Sequence, residues 1–183
     1  MEIRNDDAPW GQSLDELKSF CELCDKYKVK IIQAIPIFGE CYDIDSSWSN
    51  ERIMEYATHT VPAEKIDYLR SRNDLISVHG EYHSHYPSKW EIRNAKMILE
   101  SWGLKPSYYT PPFNEYNGVD TCGLTLSVMN LRNGERLEDY LEGMPLEGKT
   151  PPKFTYLHSW RFFRGVYKLS SLEELLDGLQ RTN

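Results

Sequence analysis

The sequence has little cysteine, with four residues in 183, and their spacing is not that of a disulfide framework. Cys21 and Cys24 form a C-x-x-C pair in the middle of an amphipathic helical pattern. Redox pairs instead lie at a helix N-terminus, where the helix dipole lowers the thiol pKa. We therefore expect buried or half-buried helix cysteines, and neither a disulfide scaffold nor a thiol redox site.

Basic charge is also scarce, because 21 Lys and Arg stand against 28 Asp and Glu, giving a net charge of −7. Nucleic acid phosphates require a basic surface, so a nucleic-acid partner is not expected. No apolar run approaches transmembrane length, and the N-terminus lacks the apolar segment of a secretory signal. We expect a cytoplasmic protein with no membrane partner, and the sequence leaves its oligomeric state open.

The composition, with 40% hydrophobic and 27% charged residues, is that of a globular protein, and the length fits a single domain over residues 1–183. Strand-like and helical patterns alternate along the chain, which predicts an α/β fold with a parallel sheet. Strands are predicted near 2–5, 29–37, 75–78, 105–110, 124–129 and 153–157. Helices are predicted at 14–27, from 49 or 50 to 57, and at 62–70, 88–102 and 172–179, with a long loop at 133–152.

Three of the five histidines, His79, His83 and His85, fall within seven residues directly after the predicted strand 75–78. Neutral imidazole is the commonest protein ligand for zinc, and two histidines four residues apart can meet at one ion where the backbone turns. His79 and His83 have that separation. A site of three histidines that also uses His85 is the alternative.

Other polar residues also follow predicted strands: Asp6 and Asp7 after the first, Asn114 after the fourth and His158 after the last. The carboxyl ends of parallel strands build the active sites of α/β sheets and barrels, so these side chains are expected at one rim. One Asp and two His would hold a metal ion that activates water, and the second Asp would accept the proton of that water. His158 would protonate the leaving group, and Asn114 would offer its amide or its backbone N–H to an oxyanion.

Four segments, in order along residues 2 to 160, resemble the motifs of the NodB-type polysaccharide deacetylases, carbohydrate esterase family four. They are Asp6-Asp7, His79-Gly80-Glu81-Tyr82-His83, Thr110-Pro111-Pro112-Phe113-Asn114 and Leu157-His158-Ser159-Trp160. The resemblance implies a distorted (β/α) barrel with fewer than eight strands. The implied reaction is a metal-dependent hydrolysis that removes an acetyl group from an N-acetylated sugar, glycan or related amide, with Zn²⁺, or alternatively Co²⁺, Mn²⁺ or Ni²⁺, as the cofactor.

The resemblance also implies a role for each residue that matches a motif. Asp6 becomes the catalytic base and His158 the general acid, while Asp7, His79 and His83 become the metal ligands. Leu157 is expected against the acyl methyl group. The further residues predicted to bind substrate are Pro112, Asn114, Trp160 and His85.

Two parts of the family pattern are missing. The third motif lacks the Arg that usually contacts the catalytic Asp, and Arg4 or Arg161 is the candidate substitute. The Asp-rich motif that usually orients the general-acid histidine is not recognisable, and the short chain favours a small acylated substrate. The alternative is therefore a non-catalytic descendant of the deacetylase fold that binds a metal or a glycan.

Overall fold

The computed structural model describes residues 1–38, 61–83, 85–127 and 154–181. Its strands are β1 Glu2–Asn5, β2 Lys30–Ile35, β3 Leu75–Val78, β4 Pro106–Tyr109, β5 Thr125–Leu126 and β6 Phe154–Leu157. Its helices are α1 Leu14–Lys26, α2 Ala63–Ser71, α3 Lys89–Ser101, α4 Trp160–Phe163 and α5 Leu169–Arg181, with a 3₁₀ turn at Pro112–Asn114. The predicted helix ending at residue 57 and the predicted loop 133–152 lie outside the described residues.

The six strands form one parallel sheet in the order β5-β4-β3-β2-β1-β6. The sheet curls into a half-barrel covered by helices, which confirms the predicted barrel type with fewer than eight strands. In the register of β1, Asn5 lies beside Gln33 of β2 and beside Leu157 of β6. Because all strands run the same way, the loops after β1, β3, β4 and β6 lie at one rim.

Local sequence signals explain where the main helices begin. Ser13 and Ser88 cap α1 and α3, and Glu16 and Glu91 complete a capping box in each. Helix α1 buries Leu17, Phe20 and Cys21 among other residues against the sheet, and β2 is buried from its second residue onward. That two-sided burial is expected of a central parallel strand.

Several boundaries differ from the prediction. Strand β2 ends at Ile35, two residues before the predicted end, because Pro36 has no N–H to continue a ladder. Helix α5 runs from Leu169 to Arg181, longer at both ends than the predicted 172–179, and the short α4 was not predicted. The predicted strand 124–129 is a strand only at Thr125–Leu126 within the described residues.

The two cysteines of the C-x-x-C pair are fully buried in α1, as predicted from the helical pattern. Burial raises the pKa of the Cys21 thiol to about 12 and raises the pKa of the Cys24 thiol as well.

We expect iodoacetamide to leave both thiols unmodified in the folded protein at pH 8, while the partly exposed Cys122 reacts. Mass spectrometry of labelled peptides, with urea-unfolded protein as the control, measures this. Labelling of Cys21 in the folded protein would contradict it.

No helix in the described parts of the chain is both long enough and apolar enough to span a membrane.

Candidate active site

The acidic pair lies directly after β1. Asp6 continues the pairing with β6, because its backbone N–H donates to the carbonyl oxygen of Leu157 over 2.9 Å. Asp7 then adopts a left-handed backbone conformation, with φ of 62°, which Asp tolerates better than most residues. Both carboxylates are buried, Asp7 to 1% exposure. The strand thus ends with two acids held at the rim of the half-barrel.

Two histidines from the loop after β3 face the carboxylate of Asp7. His79 Nε2 lies 3.4 Å from Asp7 Oδ1, and His83 Nε2 lies 3.2 Å from the same oxygen. The three residues offer ligand atoms within 4.8 Å of one another, and all three are buried. This group could hold a metal ion. It does not include His85.

The tautomer of His79 is set by the strand next to it. Its Nδ1 lies 2.9 Å from the carbonyl oxygen of Thr110, which only accepts hydrogen bonds, so Nδ1 carries the proton. This contact turns Nε2 towards Asp7. Thr110 is itself held by Ser77, since their hydroxyl oxygens are 2.7 Å apart. Such outer hydrogen bonds fix the orientation of a histidine ligand.

The loop that carries His83 depends on a close approach to the turn after β4. Gly80 has φ of 88°, and a Cβ added there would lie 3.2 Å from Pro112 Cγ. His83 also has a positive φ, 52°. Pro112, predicted to contact substrate, is therefore a buried residue packed against Gly80, where it supports the histidine loop.

The donor set fits a divalent metal ion. Within the described residues, neither carboxylate oxygen of Asp7 has a hydrogen-bond donor in good geometry, although both are buried. Burial alone would raise the pKa of Asp7, but contacts with His158, His79 and His83 outweigh it and hold the pKa well below the usual value. A buried, ionised carboxylate beside two imidazole nitrogens is the ligand chemistry of zinc and related ions.

Protonation of His83 links the stability of the metal-free protein to pH. Burial lowers the pKa of His83 from 6.5 to about 4, with the negative charge of Asp7 opposing the shift. Above pH 6.5 the ring is neutral whether the chain is folded or unfolded, and below it the unfolded chain binds the proton first. Stability is therefore lost as the pH falls from 6.5 towards 4, by roughly 3 kcal/mol from this group.

Urea unfolding of the metal-free protein at pH 7 and pH 4 measures this loss. A His83→Gln variant is the control, because it removes the titrating group and should lose roughly 3 kcal/mol less than the unmodified protein over the same interval. Equal losses in the two proteins would contradict the assignment.

Arg4 is the arginine that contacts Asp6. Its Nε and one terminal nitrogen donate to the two carboxylate oxygens over 2.6 and 2.7 Å, a bidentate pair. The same terminal nitrogen donates to Asn114 Oδ1 over 2.7 Å, and the other donates to the Ser127 carbonyl oxygen over 2.6 Å. The Arg4 side chain is fully buried. Arg161, the other candidate for the missing arginine, lines the cavity at the rim, and one of its terminal nitrogens lies 3.3 Å from the Tyr167 hydroxyl.

His158 approaches the same centre from β6. Its Nε2 lies 3.2 Å from Asp7 Oδ2, the oxygen not shared by the other two histidines. Its side chain is 16% exposed, and the Trp160 ring packs against it edge to face at 5.9 Å. Leu157, predicted to meet the acyl methyl group, is buried in the core. The structure thus brings His158 to the acidic pair, with Trp160 beside it.

Asn114 can offer only one of the two donors considered for it. Its backbone N–H donates to the Pro111 carbonyl oxygen over 3.1 Å, and its Oδ1 accepts from Arg4. The side-chain NH₂ group remains, with no partner in the described residues. Phe113 and Asn114 both have positive φ, 57° and 58°, a strained backbone of the kind found at functional sites.

These residues surround a cavity of about 260 Å³ at the rim. The described residues that line it are Asp6, His79, His83, Phe113, Asn114, Tyr156, His158 and Arg161. Sequence reasoning did not select Phe113 or Tyr156, because single aromatic residues are more often packed than functional. In the structure, Tyr156 pairs in register with Arg4, and its ring lies 5.1 Å from the Arg4 guanidinium.

His85 lies outside this cavity. Its ring stacks on Phe113 with centroids 3.9 Å apart, and its Nδ1 lies 3.0 Å from Glu115 Oε2. Phe113 is 46% exposed and Tyr86 54% exposed. His85 therefore belongs to an exposed aromatic cluster, formed with Phe113 and Tyr86, beside the cavity.

No protein-family model and no curated protein sequence matches the chain. Solved structures that are similar to it include two peptidoglycan deacetylases. The peptidoglycan deacetylase PdaC from Bacillus subtilis superimposes with a TM-score of 0.61 at 12% identity, covering 100% of this chain and 83% of that chain. The Bc1960 peptidoglycan N-acetylglucosamine deacetylase gives a TM-score of 0.64 at 14% identity, covering 99% and 81%. The chain therefore has the NodB-type deacetylase fold.

Proposed function

We propose that this protein is a metal-dependent hydrolase that removes an acetyl group from an N-acetylated sugar or a related amide. The observation that carries the proposal is the buried group of Asp7, His79 and His83. Asp6, which is paired with Arg4, lies next to this group, and His158 contacts Asp7. These three residues would hold a divalent ion, with zinc as the first candidate. When bound, such an ion lowers the pKa of water and stabilises the charge that develops on an acyl oxygen.

Asp6 is the proposed general base. It lines the cavity but is not one of the three metal-ligand candidates, so its carboxylate is available to accept a proton from water. Arg4 fixes both of its oxygens, which keeps the base in one orientation during the reaction. A base held in this way loses little freedom when the substrate binds.

His158 is the proposed general acid. It reaches the cavity from β6, while Arg4 and Asp6 lie on β1 and directly after it, so acid and base approach the cavity from separate chain segments. A proton on Nε2 would pass to the leaving nitrogen as the C–N bond breaks.

The Asn114 side chain is the proposed donor to the acyl oxygen. Because Arg4 occupies its Oδ1, the amide is fixed with its NH₂ group left to donate. A preorganised donor of this kind stabilises an oxyanion without reorganising during the reaction.

The substrate class is supported by the cavity and by the similar structures. About 260 Å³ accommodates a small acylated group with part of a sugar ring, and the similar structures are named as deacetylases of peptidoglycan. The exposed rings of the aromatic cluster offer flat surfaces that suit the apolar face of a sugar. We propose an acetylated sugar or glycan as the partner.

A screen for acetate release tests the proposal. Chelator-treated protein is incubated with N-acetylated sugars of increasing length, and Zn²⁺, Co²⁺, Mn²⁺ or Ni²⁺ is added back separately. We expect acetate from at least one substrate, and only with metal. If no substrate releases acetate although the protein still binds metal, the proposal is wrong. The alternative is then a non-catalytic protein that binds a metal or a glycan.

An Arg4→Lys variant tests the part played by the bidentate contact. Lysine keeps the positive charge but cannot hold two carboxylate oxygens in a fixed plane. We expect kcat to fall by about 10- to 100-fold, the scale of a misplaced catalytic group, while zinc content stays unchanged. Steady-state kinetics and metal analysis measure the two quantities. Unchanged kcat would show that Arg4 does not position the base.

A further inference from the structure

We propose that Asn5 is a positioning residue that fixes His158 relative to the acidic pair; this inference rests on the proposed deacetylase function. Asn5 is fully buried and immediately precedes Asp6. Its Oδ1 accepts a hydrogen bond of 2.9 Å from the backbone N–H of Ser159. On the other side of His158, the Leu157 carbonyl oxygen accepts from the backbone N–H of Asp6 over 2.9 Å.

The neighbours of His158 on both sides are thus hydrogen bonded to consecutive residues at the end of β1. One of these bonds is an ordinary backbone contact between neighbouring strands. The other needs a side chain that can accept, and Asn5 provides it. Replacing that side chain would remove the contact at Ser159 and leave the bond between Asp6 and Leu157 in place.

The orientation of the Asn5 amide is fixed by a chain of polar groups, which we call the Asn5 network; Asn5 and Gln33 are buried, and Arg72 and Asp74 are half-buried. Arg72 donates to both oxygens of Asp74, over 2.7 and 3.0 Å. Asp74 Oδ2 also accepts from Gln33 Nε2 over 2.8 Å, and Gln33 Oε1 accepts from Asn5 Nδ2 over 3.0 Å. Because a guanidinium only donates and a carboxylate only accepts, every bond has one possible direction. Asn5 must therefore present Oδ1 to Ser159.

A second contact holds the same segment. The Ser159 hydroxyl donates to Gln12 Oε1 over 2.9 Å, and both side chains are buried. Gln12 ends the turn that follows the acidic pair, and Lys65 from α2 donates to the carbonyl oxygens of Pro9 and Gln12 in that turn. Ser159 is consequently tied to chain segments both before and after Asp6 and Asp7.

This arrangement bears on catalysis because a general acid must lie within hydrogen-bond reach of the leaving atom. A displacement of about 1 Å can reduce a rate 100-fold. The Asn5 network sets the position of His158 through its chain neighbour Ser159.

Two substrates with different leaving groups distinguish a role in positioning the general acid from a general effect on folding. We expect Asn5→Ala to lower kcat on an N-acetylated amide by about 10- to 100-fold, with zinc content and KM little changed. On p-nitrophenyl acetate, whose leaving group departs without a proton, we expect nearly unchanged kcat. Ser159→Ala, which removes only the contact to Gln12, should show a smaller loss with the same dependence on the leaving group. Equal losses on both substrates would overturn the proposal.

A measurement that needs no turnover keeps the inference separate from the proposed function. Amide hydrogen exchange at Ser159, followed by NMR on the zinc-loaded protein, should be slow in the unmodified protein and much faster in Asn5→Ala. Ser159→Ala keeps the N–H and should retain slow exchange at this position. Unchanged exchange in Asn5→Ala would overturn the network, whereas the absence of acetate release from any substrate would refute only the proposed function.

Discussion

An Asp6→Asn variant is expected to bind metal normally and to lose turnover by about 10²- to 10⁴-fold, the contribution of a general base. The substitution keeps the size of the side chain but removes the group that accepts the proton. Asp7, His79 and His83 stay intact, so the metal-ligand group is unaffected. Acetate release and metal content, measured on the same preparation, give the two quantities.

Metal content shows whether the roles of Asp6 and Asp7 have been assigned correctly. If Asp6→Asn loses metal, the roles of Asp6 and Asp7 are exchanged and the assignment is wrong. If the variant keeps both metal and turnover, Asp6 is not the base. Thermal unfolding of the variant should be monitored as well, because Asp6 is paired with the fully buried Arg4 and the new amide offers that arginine only one acceptor oxygen.

A His79→Ala variant is expected to lose metal affinity by more than about 100-fold, beyond the 10- to 100-fold cost of losing an outer hydrogen-bond partner of a metal site. His79 supplies one of three candidate ligand atoms, and the hydrogen bond from its Nδ1 to Thr110 holds Nε2 towards Asp7. Competition with a chromophoric zinc chelator measures the affinity. Acetate release should fall in parallel.

His85→Ala is the matched control, because His85 lies on the same loop but is exposed and contacts Glu115 and Phe113 instead of Asp7. It should keep full zinc affinity. Loss of zinc from both variants to a similar extent would favour the three-histidine site, and unchanged zinc in His79→Ala would refute the site as a whole.

The convergence of Asp7, His79 and His83 could be predicted from sequence because each follows a strand in an alternating α/β pattern. Carboxyl ends of parallel strands share one rim, so the order of strands was not needed to bring the residues together. The choice of His83 over His85 rested on the spacing of four residues from His79 and on the resemblance to the deacetylase motif, and of the two histidines only His83 contacts Asp7.

The arginine that contacts Asp6 was harder to predict from the sequence. Arg4 and Asp6 are two residues apart, so their side chains lie on the same side of an extended strand, and this period-two signal could have selected Arg4. Its other contacts, Asn114 and Ser127, are 110 and 123 residues away along the chain. Contacts at that separation depend on how β4 and β5 pack, and local patterns do not contain this information.

The groups that hold His158 could not be predicted for a related reason. Asn5 and Gln33 are polar residues on neighbouring strands, and their contact depends on the register between β1 and β2. Parallel strands are joined by a long crossover, so no short turn fixes their register, and a slip of one residue would separate Asn5 from Gln33.

The most direct test of this account is a titration of acetate release against added zinc, starting from chelator-treated protein and the best substrate of the screen. If Asp7, His79 and His83 hold one catalytic ion, the rate of acetate release should rise linearly and reach a plateau at about one equivalent of zinc per chain. The rate of the His79→Ala variant should not rise over the same range. A rate of acetate release that is already maximal without added zinc, or that rises equally in the His79→Ala variant, would contradict a catalytic ion at these three residues.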